Sequence, residues 1–210
     1  MTIAADLRRQ LASGELVAGS VLPSEADLAG AYGVSRVTVR KALEVLRGEG
    51  LIDARQGFGW FVPVDRVRQL VGELTTIEAE LAARGHEPVR TVLSFQLGED
   101  ELVVSRVNLA DGVPFALVTV WCPAELGRSL TPADVESSTF YDLLPVPVAS
   151  VDQVIRAAAA DERDAEVLGV PVGSPLLVAQ RVSRGADGAP LLRSEHRFPA
   201  HLTEFATRRP

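Results

Sequence analysis

The sequence predicts an α+β protein with two parts: a short N-terminal part of helices and one hairpin, and a longer part built on an antiparallel sheet. Two observations predict this fold class. Apolar residues recur at helical spacing up to Leu46, whereas strand-like runs joined by Asp-Gly pairs dominate from Val89 onward. The chain has 210 residues, 47% of them hydrophobic and 23% charged, which is enough for two compact domains with buried cores.

Two helices are predicted first. The first has an apolar stripe and ends at Ser13-Gly14. The second begins after Ser24, whose hydroxyl can cap the free N–H groups, and Glu25 suits the positive end of its dipole. Gly33 ends this helix because glycine readily adopts the left-handed conformation. The apolar stripe of the first helix consists of Ile3, Leu7 and Leu11.

Ser35 is the predicted cap of a third helix. Its apolar residues fall at i, i+3, i+4 and i+7 and form one buried face: Val39, Ala42, Leu43 and Leu46. Arg36, Thr38, Arg40 and Lys41 are left on the other faces. A helix, a tight turn and a second helix that presents Arg and Thr from its first turns form a helix-turn-helix, whose second helix enters the major groove of DNA.

A short hairpin follows the third helix. Residues 51–55 and 60–62 are two apolar strands around Gly57-Phe58-Gly59. The glycines let the backbone approach a phosphate or the minor groove. Residues 1–63 are therefore predicted to form a winged helix-turn-helix domain.

The charge distribution agrees with a nucleic-acid partner for this first part. The net charge is −7, but residues 1–62 hold seven basic and seven acidic residues, so the excess of acid lies in the second part. A basic stripe suited to phosphates remains in one short segment, formed by Arg36, Arg40, Lys41 and Arg47.

The second part is predicted to contain a linker over residues 64–75 and a domain over residues 76–210. A helix over residues 76–84 ends at Gly85. Two similar stretches, residues 102–114 and 177–190, each read as a strand, an Asp-Gly turn and a strand. Between them we expect a short helix over 138–144, a strand over 149–158 and a helix over 161–168.

The motifs of the first part carry a family resemblance. Leu22-Pro23-Ser24-Glu25, Gly33-Val34-Ser35-Arg36, Glu49-Gly50-Leu51-Ile52 and Gln56-Gly57-Phe58-Gly59 together resemble the DNA-binding domain of GntR-family bacterial regulators. The resemblance implies base and phosphate contacts by the third helix, backbone contacts at the start of the second and a wing tip in the hairpin. With the basic stripe, the candidate DNA-binding residues are Ser24, Glu25, Ser35, Arg36, Thr38, Arg40, Lys41, Arg47, Gly57, Phe58 and Gly59.

The order of elements in the second part is similar to the UTRA effector domain of the HutC subfamily, as are Ala110-Asp111-Gly112 and Ala160-Asp161-Glu162. That resemblance implies a fold like chorismate lyase, a ligand cleft and a homodimer. Arg106, Thr139 and Tyr141 match positions that bind an anion in sugar-phosphate-sensing relatives, and a guanidinium with hydroxyls suits a phosphate or carboxylate.

The sequence leaves open both the chemistry of the effector and the role of each candidate residue. Asn108, Val118, Ser150 and Leu192 stand where relatives often have charged residues, which favours a smaller or less polar effector than a phosphorylated amino sugar. For each candidate, a structural ion pair or a sheet-surface position is as good an interpretation as ligand contact. The full set is Arg106, Asn108, Thr139, Tyr141, Arg193, Glu195, His196 and Arg197.

The functional hypothesis is a ligand-responsive, sequence-specific DNA-binding regulator, usually a repressor that is released by its effector, acting on double-stranded operator DNA as a homodimer. No apolar run reaches the ~18 residues of a membrane span, so we expect a cytoplasmic protein. Two alternatives stay open: a chorismate-lyase-like enzyme, and a DNA-binding protein without an effector. His86, His196 and His201 show no metal or triad spacing, and Cys122 lies in an apolar segment, so we expect no catalytic residue, metal or cofactor.

Overall fold

The computed structural model describes residues 2–56, 58–63, 67–70 and 76–207. The N-terminal part contains the helices α1 (Ile3–Ser13), α2 (Glu25–Tyr32) and α3 (Arg36–Gly48), then the hairpin strands β1 (Asp53–Arg55) and β2 (Gly59–Phe61). Ser24 and Asp27 form a reciprocal capping box at the start of α2, and Gly33 ends the helix with φ of +65°. The predicted caps are confirmed at both ends of α2.

The three helices and the hairpin enclose one apolar core. α1 and the second strand of the hairpin contribute Leu7 and Trp60, and one face of α3 packs between them. Because that face is buried in the core, the opposite face of α3 lies at the protein surface. The buried face of α3 consists of Val39, Leu43 and Leu46, each 0% exposed.

A six-stranded antiparallel sheet forms the second part. Its strands are β4 (Pro88–Leu97), β5 (Glu101–Ala110), β6 (Val113–Pro123), β7 (Ser150–Ala159), β8 (Pro175–Arg184) and β9 (Pro190–Pro199), and they lie in the order β4-β5-β6-β9-β8-β7. The two predicted hairpins are β5–β6 and β8–β9, which turn at Asp111-Gly112 and Asp187-Gly188. The antiparallel α+β architecture is therefore confirmed.

Helices cover the two faces of this sheet unequally. α4 (Ile77–Ala83), α6 (Pro132–Ser137) and α7 (Phe140–Leu143) pack on one face, where they share a core with Val104, Val118 and Phe198. α5 (Ala124–Gly127) follows β6, and α8 (Glu162–Leu168) packs on the other face against Leu117 and Val178. None of the helices in the described part of the chain is both long and apolar enough to cross a membrane.

The predicted linker contains a strand. Residues 67–70 form β3 (Val67–Leu70), which pairs in parallel with β10 (Thr203–Ala206). Inside this pair Gln69 donates a hydrogen bond from Nε2 to Oγ1 of Thr203, at 3.2 Å. Nothing in the sequence signals this strand, because its partner strand is remote in sequence. Residues 64–66 and 71–75 lie outside the described residues, and the domain boundaries themselves stay predictions.

Candidate nucleic-acid interface and effector cavity

The N-terminal turns of α3 present a polar surface. The hydroxyl of Ser35 caps the helix by accepting a hydrogen bond from the backbone N–H of Thr38, at 3.2 Å. Arg36, Thr38, Arg40 and Lys41 are all exposed, as the sequence predicted. Val37 was not among the predicted DNA-binding residues, but it is 65% exposed in the same turn and suits the methyl group of a thymine in the major groove.

Arg40 is held in place by a carboxylate of α2. Its Nε and Nη2 donate to Oε1 and Oε2 of Glu25, at 2.9 and 2.6 Å. The indole Nε1 of Trp60 also donates to Oε1 of Glu25, at 3.3 Å. The hydrogen bonds from Arg40 lower the pKa of Glu25, burial opposes this, and Trp60 adds to the lowering. A three-residue network thus links the hairpin, α2 and α3.

Several predicted residues meet in one groove of about 450 Å³ beside this network. Arg40 lines the groove from α3, and the wing contributes side chains with hydrogen-bonding and cationic groups. A groove with this chemistry can bind a phosphate backbone. The lining residues that α2 and the wing supply include Ser24, Glu25, Arg55, Gln56 and Gly59.

Phe58 lines the same groove but is buried, and Arg47 lies away from the groove. Phe58 is 3% exposed, because its ring packs 4.3 Å from the ring of His201 in the second part of the chain. The expectation that Phe58 is a free wing tip is therefore corrected. Arg47 lies in the last turn of α3, where its Nε donates to Asp53 at 3.1 Å. Gly57 lies outside the described residues.

A small cavity of about 50 Å³ lies between the sheet, α4 and α7. Four of the predicted effector residues line it: Arg106, Thr139, Tyr141 and His196. Ligand pockets usually measure ~300–1,000 Å³, so a larger molecule can enter only if the walls of this cavity rearrange.

Glu78 is the internal counter-ion of this cavity. Its Oε1 accepts hydrogen bonds from Nε of Arg90 and Nδ2 of Asn108, both at 2.8 Å, and lies 3.5 Å from Nη2 of Arg106. Burial opposes ionisation of Glu78, but the charges of Arg106 and Arg90 outweigh it and lower its pKa. Burial lowers the pKa of Arg106 to about 10, so the guanidinium is still charged at neutral pH.

His196 supplies a neutral imidazole to the same cavity. Burial and then the charges of Arg181 and Arg106 lower its pKa well below 6.5. Its Nε2 lies 3.0 Å from Oγ of Ser194. Within the described residues, Nδ1 of His196 and Nε of Arg106 are buried polar atoms without a hydrogen-bond partner. Buried polar atoms without partners are costly, so these two atoms can be satisfied by a polar ligand.

Two known protein families match the two parts of this chain that carry these sites. Residues 1–62 match the family described as bacterial regulatory proteins, gntR family, and residues 71–203 match the UTRA domain. The chain belongs to the GntR family. Its UTRA domain places it with the HutC-type members, as the motifs predicted, and this family consists of transcriptional regulators, not of enzymes.

Individual relatives match this chain in sequence over most of their length. This GntR-family protein is 31% identical to the HTH-type transcriptional repressor NagR of Bacillus subtilis, over 84% of this chain and 80% of that one. It is 35% identical to the HTH-type transcriptional regulator Rv0792c of Mycobacterium tuberculosis, over 90% and 77%. It is 27% identical to the histidine utilization repressor of Pseudomonas putida, over 87% and 81%.

Solved structures share its fold. PhnF from Mycobacterium smegmatis matches with a TM-score of 0.64 and 24% identity, covering 99% of both chains. The possible transcriptional regulator YydK from Bacillus subtilis matches with a TM-score of 0.59 and 20% identity, covering 99% of this chain and 97% of that one.

In this GntR-family protein, three predicted effector residues of β9 point away from the cavity. Alternate side chains of a strand face opposite sides of a sheet, so Ser194 and His196 line the cavity while their odd-numbered neighbours do not. Arg193 pairs with Glu101 at 3.0 Å. The interpretation of Glu195, His196 and Arg197 as one polar cluster is corrected, because two of the three lie on the other face. Asn108 reaches Glu78 rather than the cavity wall.

The residues on that other face form ion pairs of their own. Arg197 donates from Nε and Nη2 to the two carboxylate oxygens of Asp164 in α8, at 2.7 and 2.6 Å. It also donates to Glu195 at 3.1 Å. These contacts fix α8 on the sheet and give both residues a structural role.

Four polar residues that line the cavity were not predicted from the sequence: Thr76, Glu78, Arg181 and Ser194. The alternation along β9 gave a signal for Ser194, since it precedes His196 by two residues. Glu78 had none, because its carboxylate meets Arg106 only once α4 has packed on the sheet.

Cys122, the single cysteine of the chain, is a buried thiol. Burial raises the pKa of Cys122 to about 11, so its thiol is a poor nucleophile at neutral pH. Within the described ranges, no three His, Cys, Asp or Glu side chains are grouped so that they could hold a metal ion.

Proposed function

We propose that this protein is a repressor that reads its operator with α3 and leaves it when the UTRA domain binds a small anionic effector. The observation that carries the proposal is the pairing of two built sites in one chain. One is an exposed helix N-terminus with an oriented Arg40, and the other is a buried cavity with the unpartnered Nε of Arg106. Names of relatives such as the repressor NagR support the same function.

The charge of the cavity favours an effector with one negative charge. Its charged lining residues are Arg106, Arg181 and Glu78, and His196 is neutral. The two guanidiniums therefore exceed the one carboxylate. A monocarboxylate or a similar small anion balances this charge and can accept a hydrogen bond from the unpartnered Nε of Arg106.

The assembly that we propose is a cytoplasmic homodimer on a palindromic operator. Each α3 would enter the major groove of one half-site, and two-fold symmetry of the protein would match that of the DNA. A dimer supports binding at nanomolar concentrations because two half-sites are held at once. Light scattering of the purified chain measures this state directly, and a monomer at micromolar concentration would contradict it.

A thermal-shift screen tests the effector proposal. The panel consists of monocarboxylates, sugar phosphates and neutral sugars, and a ligand at 100 times its Kd adds ~2.7 kcal/mol to the stability of the folded state. We expect stabilisation by an anion, and the same anion should weaken operator binding. Stabilisation only by neutral sugars would contradict the assigned chemistry, and stabilisation by no member would favour a regulator without an effector.

A matched pair of variants locates the binding site. Arg106→Gln removes the cavity guanidinium, whereas Arg193→Gln removes an exposed one from the opposite face of the same sheet. We expect the first variant to lose the response to the anion and the second to keep it. Tyr141→Phe, which removes one cavity hydroxyl and no charge, serves as a second test where Arg106→Gln is too unstable. Retention of the response in both cavity variants would place the effector elsewhere.

A further inference from the structure

We propose that the wing is an interaction surface for the chain's own UTRA domain, and that the contact between Phe58 and His201 holds the regulator in a form with low affinity for DNA. The proposal rests on the operator-binding function proposed above and adds a regulatory contact to it. The wing tip then has two competing partners, the UTRA domain and the operator.

An aromatic cluster joins the two domains at this point. The rings of Phe58 and His201 lie 4.3 Å apart at 47°, and Phe61 lies 5.6 Å from each of them. Nε2 of His201 lies 3.1 Å from the backbone oxygen of Gly19. His201 is 4% exposed and Phe58 is 3% exposed, so each side chain is buried by the other domain.

Aliphatic residues of the UTRA domain extend this contact. Phe58 and Phe61 share one apolar cluster with side chains of the sheet and of α8. Burial of these two phenylalanines in an apolar cluster favours the docked form, because their rings are removed from water. The UTRA residues of the cluster are Leu117, Ala160, Leu168, Val170, Leu176 and Val178.

The docked domain also borders the groove that carries Arg40. Pro171, in the loop between α8 and β8, lines that groove together with Glu25 and Arg40. The next residue, Val172, is 63% exposed. A duplex that enters the groove meets this loop, so docking of the wing and DNA binding compete for the same space.

The wing connects the docking contact to the recognition arginine. Adjacent residues of β2 face opposite sides: Phe61 packs on His201, whereas Trp60 donates to Glu25. Glu25 in turn holds Arg40. The wing therefore contacts the UTRA domain on one side and the support of the operator-reading side chain on the other.

Strand β9 connects the effector cavity to the contact between Phe58 and His201. Ser194 and His196 line the cavity, and the ring of His196 stacks on Phe198 at 6.0 Å. The strand ends at Pro199, and His201 follows in the turn. A ligand at His196 thus acts on the strand that leads directly to the docking histidine.

The test compares operator affinity in three single variants. His201→Ala and Phe58→Ala each remove one side of the contact, and Phe95→Ala removes a phenylalanine from the UTRA core without touching the other domain. The probe is duplex DNA from upstream of the native gene, followed by fluorescence anisotropy. If docked molecules do not bind DNA, the apparent Kd equals the Kd of the undocked form divided by the undocked fraction. A variant that is always undocked therefore binds more tightly by the inverse of that fraction.

We expect His201→Ala and Phe58→Ala to bind the operator at least roughly threefold more tightly than the native chain. The double variant should gain no more than either single one, because both remove the same contact. Phe95→Ala should leave affinity unchanged. His201→Gln, which keeps a hydrogen-bond donor and loses the ring, replaces His201→Ala if circular dichroism shows that the alanine variant is unfolded.

Three other outcomes would overturn the proposal. Weaker binding by Phe58→Ala alone would make Phe58 a DNA contact. Weaker binding by both variants would mean that docking builds the DNA-competent form, and unchanged binding by both would leave the contact without regulatory effect. Failure of the native chain to bind any fragment would contradict the proposed function instead, and is distinguishable for that reason.

Discussion

Glu25 holds the guanidinium of Arg40 through two hydrogen bonds of 2.9 and 2.6 Å, although Arg40 itself is 65% exposed. An exposed arginine normally samples many rotamers, and this pairing removes most of them. The carboxylate also neutralises its charge. Arg40 is therefore suited to directional recognition of a base more than to general attraction of phosphates.

Replacing Glu25 by Gln should reduce discrimination between sequences. Arg40 would keep its charge but lose its fixed direction, so affinity for unrelated DNA should rise and the specificity ratio should fall by about tenfold. Fluorescence anisotropy with competing operator and unrelated duplexes measures the affinity for unrelated DNA and the specificity ratio. Asp53→Asn is the matched control, because it breaks an ion pair of Arg47 at the far end of the same helix. An unchanged ratio in Glu25→Gln would contradict the positioning role.

Arg40→Ala and Arg47→Ala should differ sharply in operator binding. Loss of one base-reading arginine costs about 1–3 kcal/mol, or roughly 5- to 150-fold in affinity. Arg47 lies in the last turn of α3 and is paired with Asp53, so its loss should change affinity by less than about threefold. Titration at two salt concentrations checks both variants. The reverse order would mean that the C-terminal end of α3 faces the DNA.

Local signals explain which of these features the sequence predicted. Ser24, Gly33 and Ser35 act on their own helices, so the ends of α2 and the start of α3 were predictable from the chain alone. The Asp-Gly turn at Asp111-Gly112 is equally local. No local signal predicts a pairing whose partner is remote in sequence, as in the pairing of Val67 with Thr203.

Two expectations at the sites are corrected for different reasons. His196 and Arg197 were predicted to form one cluster because they are adjacent in sequence. Adjacent residues of a strand lie on opposite faces of the sheet, so the two side chains are apart. Phe58 was placed at the wing tip by the family resemblance, and its contact with DNA stays a prediction. Its burial depends on His201, which no pattern near the hairpin reveals.

The buried charges around Glu78 should control the stability of the UTRA domain. Glu78→Gln leaves Arg90 and Arg106 buried without a carboxylate, and breaking a buried pair in this way costs about 3–5 kcal/mol. Glu101→Gln breaks the exposed pair with Arg193 and should cost about 0–1 kcal/mol. Urea unfolding gives both free energies. Equal costs would show that the buried network contributes no more than a surface pair.

Stability should fall as pH drops below about 6.5 because of His196. Its pKa is lowered well below 6.5 in the folded chain, so the unfolded chain binds the proton first. The folded state is then favoured fully above pH 6.5 and loses free energy as pH falls toward the folded pKa, by at most ~1.4 kcal/mol per pH unit. Urea midpoints at pH 7.5 and 5.5 measure this, and His196→Gln should have the smaller difference. A native midpoint that rises on acidification would contradict the buried neutral imidazole.

The most direct test of the account is a hydroxyl-radical footprint on DNA from upstream of the native gene. The native chain should protect two segments whose centres lie ~10 base pairs apart, or a multiple of that distance, as expected for two recognition helices on one face of the duplex. The variant Arg36→Ala/Arg40→Ala should protect neither. A footprint that survives in this variant, or no footprint with the native chain on any upstream fragment, would contradict the claim that α3 reads an operator.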